Sequence, residues 1–181
     1  TNTYSTFDGA ATFNQDISHW DVSNVTDLDE MFRDAISFNQ PIGTWTIGVV
    51  DYMNDMFNGA IAFNQDLSNW DISSLGSSVT FTESAEFMFF DATAFSSENY
   101  DALLLGWSTD SSGNATDGDD DIPSNIVFEG PPTTYCPGAA GIEILSDTPY
   151  NWIINGGTED CESISFITTW QVGANETIVI P

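Results

Sequence analysis

Four aspartates fall within five residues at the end of "DSSGNATDGDDD", residues 110 to 121. With Asp110 and Asn114 upstream, Asp117, Asp119, Asp120 and Asp121 offer clustered hard oxygens on a glycine-containing backbone, the donor set that calcium takes. The spacing is not that of an EF-hand, and the glutamate at its twelfth position is missing. A solvated acidic loop explains the same residues, so both readings stay open. Acid pairs are also the chemistry of glycoside hydrolysis. Among 28 acids such pairs arise by chance, and none stands above the others. His19 is the sole histidine; no cysteine–histidine pair, G-x-S-x-G elbow or phosphate loop accompanies it. No enzyme is therefore expected. Cys136 and Cys161 are the whole thiol inventory. Two cysteines in such a chain point to one disulfide in an oxidising compartment, with two reduced, unrelated thiols as the alternative. Three N-x-[ST] sequons, at Asn24, Asn114 and Asn175, are a weak pattern.

The charge limits the partners. A formal net of −27, with one Lys or Arg, would meet repulsion from nucleic acid and from anionic membranes. Arg33 is the only strong cation, so ion pairs can do little. Hydrophobic residues make up 41%, too many for a disordered chain, and the length of 181 residues allows one domain with a real core. No apolar run is long enough to span a bilayer. The chain opens inside a repeat, which suggests a piece of a longer protein.

That repeat has a period of 25. "FNQDISHWDVSNV" at 13 to 25 returns as "FNQPIGTWTIGVV" at 38 to 50 and "FNQDLSNWDISSL" at 63 to 75. A fourth copy survives in Met88, Phe89, Ala92 and Phe95 after about seven inserted residues. Periods of this size mean stacked units sharing one core. Ile17, Trp20 and Val22, then Ile42, Trp45 and Ile47, then Leu67, Trp70 and Ile72, follow the apolar-x-x-apolar-x-apolar strand signature of leucine-rich-repeat coils. Short inward-facing parallel strands are expected there. In "VTDLDEMFRDA" (25 to 35) the apolar spacing predicts a short helix or 3₁₀ turn. Asn14, Asn39 and Asn64 are expected to form an amide ladder between units. The outward positions are Ser18, His19, Asp21 and Ser23, then Thr44 and Thr46 with two glycines, then Ser68, Asn69, Asp71 and Ser73. They are a candidate shallow contact face, or simply solvated positions.

The pattern MF-x-x-A-x-x-FNQ-D-I-S-x-W-D-V-S-N-V-T resembles the BspA-like surface-protein repeat, also called the Mycoplasma-lipoprotein-type (DUF285) repeat, over residues 7 to about 95. The resemblance implies an α/β, leucine-rich-repeat-like, right-handed solenoid with short parallel strands. "ENYDALLLGWS", "IVFEGPPTTYC" and "NWIINGGTEDC" resemble the closing region of such arrays, implying helix, strand, second helix and strand, with a Cys136–Cys161 bridge around the last coil. On this reading residues 1–95 are repeats and 96–163 a C-terminal cap containing the acidic loop 109–121.

Residues 164–181 stand outside the repeat. Their alternating runs predict a hairpin, either the start of a following β-module or an assembly segment in which Phe166, Ile167, Trp170, Ile178 and Ile180 pair with another copy. The resemblance implies a secreted, cell-surface protein that binds an extracellular protein or glycan. The alternative is a subunit of an extracellular filament; a carbohydrate-active enzyme is a third reading. Calcium is the one cofactor expected, and neither nucleic acid nor membrane insertion is.

Overall fold

Two columns of phenylalanine rings run through the repeat region, as the 25-residue period requires if like residues stack. Phe7, Phe32, Phe57 and Phe89 follow one another at centroid spacings of 5.5, 5.8 and 5.4 Å. Phe13, Phe38, Phe63 and Phe95 do so at 5.8, 5.9 and 6.1 Å. Within each unit the two rings face each other, for example Phe32 and Phe38 at 3.9 Å. Leu28, Met31, Ala35 and their counterparts fill the rest of a core that is continuous from unit to unit. Each ring sealed in this way contributes about 2 kcal/mol through removal from water. The computed structural model describes residues 2–77, 84–109 and 122–161, with the backbone of 169–171 and 177–179.

Of the two forms expected at 25–35, the segment takes the 3₁₀-type turn and not the helix. Its apolar residues Val25, Leu28, Met31, Phe32 and Ala35 are all buried, but Glu30 and Asp34 have φ of 54° and 54°, in the left-handed region, which ends any helix. The backbone is a chain of turns instead. Met31, Arg33 and Ala35 each donate to the carbonyl three residues back at 3.1 Å. The amides of Leu28, Glu30, Phe32 and Asp34 donate to the carbonyls of Tyr52, Asn54, Met56 and Asn58 in the next unit, at 2.8–3.0 Å. Nearly every amide is therefore used, alternately within and between units. The three-residue step of linked turns produces the same apolar spacing as a helix.

The expected strands at 17–22, 42–47 and 67–72 are likewise absent. Turns occupy those places, closed by Trp45 N–H to the Ile42 carbonyl (3.0 Å) and Val50 N–H to Ile47 (2.8 Å), with equivalents in the flanking units. The inward placement holds for Ile17, Val22, Ile42, Trp45, Ile47, Leu67, Trp70 and Ile72, all buried. Trp20 differs and is 39% exposed, since among the described residues no further arm stacks on its outer side. Parallel bridging lies elsewhere in the unit, at Asn2–Asp27–Tyr52 and at Ala85–Phe128.

The amide ladder is present. Asn14 Oδ1 accepts from the Asn39 amide (3.0 Å) and the Gln40 side chain (2.7 Å), and Asn39 Oδ1 does the same for Asn64 (2.9 Å) and Gln65 (2.7 Å). An indole ladder runs beside it: Trp45 Nε1–H donates to the Ile17 carbonyl and Trp70 Nε1–H to Ile42, both at 3.2 Å.

At the fourth unit a helix, α1 (Ser97–Trp107), takes over the arm that carried these ladders. Its N-cap Ser96 puts its backbone N–H, and Asn99 its side-chain amide, on Asn64 Oδ1 at 2.9 and 2.8 Å. At the far end Trp107 Nε1–H reaches the Leu67 carbonyl at 3.3 Å. Asn39 to Trp45 is six residues of chain ending in the Ile42–Trp45 turn; Ser96 to Trp107 is eleven residues of helix, about 16 Å. A helix thus connects the same two ladder positions with nearly twice the sequence.

Beyond α1 the parallel register continues through short strands. β1 (Val127–Glu129) pairs with β3 (Ile153–Asn155), and β2 (Thr134–Tyr135) with β4 (Thr158–Glu159). Between them lies α2 (Ala139–Ser146), pressed so closely on α1 that a side chain at Gly141 would strike the Leu104 carbonyl. Asp101 of α1 fixes the entry to α2 by accepting from the amides of Cys136 (2.9 Å) and Gly138 (2.7 Å). The Cys136–Cys161 disulfide is formed, with Cα atoms 4.9 Å apart and a sequence separation of 25. That is the lateral spacing of neighbouring strands, so the bridge ties two adjacent rows. A closed loop of this length is worth roughly 3.5 kcal/mol in the chain-entropy account. β5 (Thr169–Gln171) and β6 (Thr177–Val179) pair antiparallel, with Trp170 opposite Ile178, where a hairpin is expected; the connecting residues lie outside the described ones. Among the described residues there are two helices and short parallel strands, and no closed sheet.

Candidate binding face

The outward residues of the arms sit on Asx turns. Asp66 Oδ1 accepts from the Ser68 amide at 2.9 Å, and Asp71 Oδ1 from the Ser73 amide and hydroxyl at 3.0 and 2.6 Å. Asp16 and Asp21 do the same for Ser18 and Ser23. The serine hydroxyl and then the amide hold both carboxylates below their usual range. In the middle unit Gly43 and Gly48 replace the serines. A side chain at Gly43 would collide with the Asp66 carbonyl, so the closeness of adjacent arms demands glycine there.

Two shallow depressions meet on this surface. One, of about 440 Å³, lies over Thr44, Trp45 and Thr46 and is bounded by Asn69 and Asp71. The other, of about 490 Å³, runs from Asn69 and Asp71 across Ser68 and Ser73 to Gly106 and Thr109 at the end of α1. Asn69 and Asp71 border both, so the two depressions adjoin across the arms and are taken together as a groove. Its walls carry hydroxyls, one amide and one carboxylate, with the nearly buried edges of Trp45 and Trp70 beneath. It holds no cation, so it can exchange hydrogen bonds with uncharged polar groups while repelling anions.

The structure therefore brings Thr44, Thr46, Ser68, Asn69, Asp71 and Ser73 together in the groove. Ser18, His19, Asp21 and Ser23 are solvent-accessible but lie outside it. Sequence reasoning missed Gly106 and Thr109, because their helix stands where the repeat would have placed another arm. The proposed calcium ligands Asp110, Asn114, Asp117, Asp119, Asp120 and Asp121 lie outside the described residues. So do Phe166, Ile167 and Ile180. Among the described residues no group of three or more His, Cys, Asp or Glu is arranged to hold a metal ion.

Arg33 is fully engaged, bidentate to Asp8 (2.9 and 2.7 Å) and paired with Glu30 at 2.7 Å. Among the described residues Asp29 is the carboxylate pushed furthest from its ordinary value. Burial, and then the neighbouring Asp27 and Glu30 charges, raise it to about 6 against the pull of its bond from the Asn54 amide at 2.6 Å.

Stacked 25-residue units, sharing a phenylalanine core and closed at one end by two helices and a disulfide, define a tandem-repeat protein whose arms carry a polar groove. The chain belongs to the family described as Mycoplasma protein of unknown function, DUF285, which matches residues 1–103. Neither a curated protein nor a solved structure matches the chain. No helix among the described residues is long and apolar enough to cross a membrane.

Proposed function

We propose that this chain is a secreted, cell-surface binding domain of the BspA-like type. It is a leucine-rich-repeat-like solenoid that adheres to an extracellular glycan or protein through the groove spanning Thr44, Thr46, Asn69, Asp71 and Thr109. The observation that carries this reading is the groove itself, which among the described residues is uncharged apart from Asp71 and rich in hydroxyl groups, on a chain with a net charge of −27. Such a surface favours neutral polyhydroxyl or peptide partners and turns anions away. The disulfide fits an oxidising exterior, where calcium at residues 110–121 would also be available to the acidic loop.

Beads coated with the chain should adhere to particular neutral polysaccharides or extracellular proteins. A Thr46→Tyr/Asn69→Tyr variant, which fills the groove, should lose at least about tenfold in adhesion with an unchanged urea midpoint. Adhesion that survives this change would sink the assignment. The β5–β6 pair, two-stranded among the described residues, gives the alternative of a filament subunit joined by strand addition. Light scattering and electron microscopy in calcium and in chelator separate the two, since fibres point to the subunit and monomers to the binding domain.

A further inference from the structure

The fourth unit breaks the pattern of the other three at two exposed places. Where the repeat carries Ser5, Glu30 and Asp55 it has Phe87, and where it carries Asp8, Arg33 and Asn58 it has Phe90. Both rings are exposed, 40% and 44%, and they meet edge to face at 6.1 Å. Phe87 also keeps the left-handed backbone of its column, with φ of 53°, a conformation that suits a small or polar residue far better. Core packing explains neither ring, since the unit's core positions are filled by Met88, Phe89, Ala92 and Phe95.

Acidic residues neighbour the pair along the chain and in the adjacent rows. Glu86 precedes Phe87 and Asp91 follows Phe90. Asp55, in the preceding row, is bound to this one through its amide and the Glu86 carbonyl at 2.9 Å. Glu129, in the following row, accepts on its carbonyl from the Phe89 amide at 3.2 Å. Burial, and then the Glu86 and Asp55 charges, raise the Glu129 carboxyl above its usual range. The one strong cation of the chain is committed elsewhere, to Asp8 and Glu30.

Two exposed aromatic rings, on a row whose own and neighbouring residues include Asp55, Glu86, Asp91 and Glu129, have the chemistry that receives a cation, through the ring faces and through charge together. We propose that Phe87 and Phe90, flanked by Asp55, Glu86, Asp91 and Glu129, form a docking spot for a basic segment of a partner protein, with a lysine or arginine side chain lying against the rings. This site is separate from the groove and shares no residue with it.

The test titrates the full chain, at physiological salt, with acetyl-Gly-Arg-Gly-amide and with the same peptide carrying uncharged citrulline, following ring-proton resonances. Saturable binding of the arginine peptide with shifts at Phe87 and Phe90 is expected, with the citrulline peptide about tenfold weaker. Phe87→Ser with Phe90→Asn restores residues found at the same places in other units and leaves the net charge unchanged. This variant should bind the arginine peptide about tenfold more weakly, with a urea midpoint at or above that of the parent. Should it fold poorly, Phe90→Asn alone is measured in its place. Equal binding by the variant, equal binding of citrulline, or no saturable binding at millimolar peptide each overturns the proposal, the last because the rings would then be covered by the chain itself.

Discussion

Trp20 and Trp45 occupy the same place in successive units, yet removing them should have very different consequences. Trp45 is 4% exposed, packs 6.2 Å from the Phe32 ring and donates its indole N–H to the Ile17 carbonyl. Trp45→Ala removes about 200 Å² of buried surface, leaves a cavity between two stacked units and takes one of two hydrogen bonds from the Ile17 carbonyl, which keeps the Trp20 amide at 3.0 Å. The expected cost is about 4–5 kcal/mol, made up of about 3–4 for the side chain and cavity and about 1 for the hydrogen bond. Trp20 is 39% exposed and lies 5.7 Å from Phe7. Its removal opens a notch to water rather than a cavity, and no indole hydrogen bond to a described residue is lost with it. About 2 kcal/mol should go. Urea is the right denaturant, because guanidinium is itself a salt and would screen the −27 charge during the measurement. Fluorescence and circular dichroism should be followed together, since repeat arrays can lose cooperativity. If the two variants agree to within roughly 0.5 kcal/mol, or Trp45→Ala costs less than about 1, stacking is not what holds the indoles.

Asn39→Ala should cost about 2–3 kcal/mol by stripping the shared acceptor from the Asn64 amide and the Gln65 side chain. Asn39→Asp keeps that acceptor and should cost much less. If both variants melt alike in urea, the ladder contributes nothing specific. Asp29 gives a pH signature. Its folded pKa of about 6 lies above the ordinary value of 3.8, so between those pH values the folded chain retains a proton that the unfolded chain has released. Its contribution is therefore fully present below about pH 4 and is lost as the pH rises through 6. Asp29→Asn keeps an oxygen for the Asn54 amide and removes the charge. It should raise stability above pH 7 by about 1 kcal/mol, after discounting for solvent at this half-buried position, and should do nothing near pH 4. A urea midpoint that moved equally at both pH values would contradict this assignment.

The sequence by itself determined what stacks on what. Phe32 recurs as Phe57, Asn14 as Asn39 and Trp45 as Trp70 because each row must offer its neighbour the same surface at the same height, and that requirement is written directly as a period of 25. It also marked which side chains of the arms face out, since stacking constrains only the inward ones. The backbone route was not legible. A three-residue apolar step suits a helix and a run of linked turns equally well, and only the hydrogen bonds between rows, with Glu30 and Asp34 in the left-handed region, select the turns. The same ambiguity misplaced the strands, whose expected positions are held by indole and amide side chains instead of a backbone ladder. Tertiary structure alone decided that α1 would close the ladders. Ser96 and Trp107 stand eleven residues apart in sequence where Asn39 and Trp45 stand six, and a helix rising 1.5 Å per residue brings them back into register. From that closure comes the far wall of the groove, Gly106 and Thr109, which no pattern in the repeats announces.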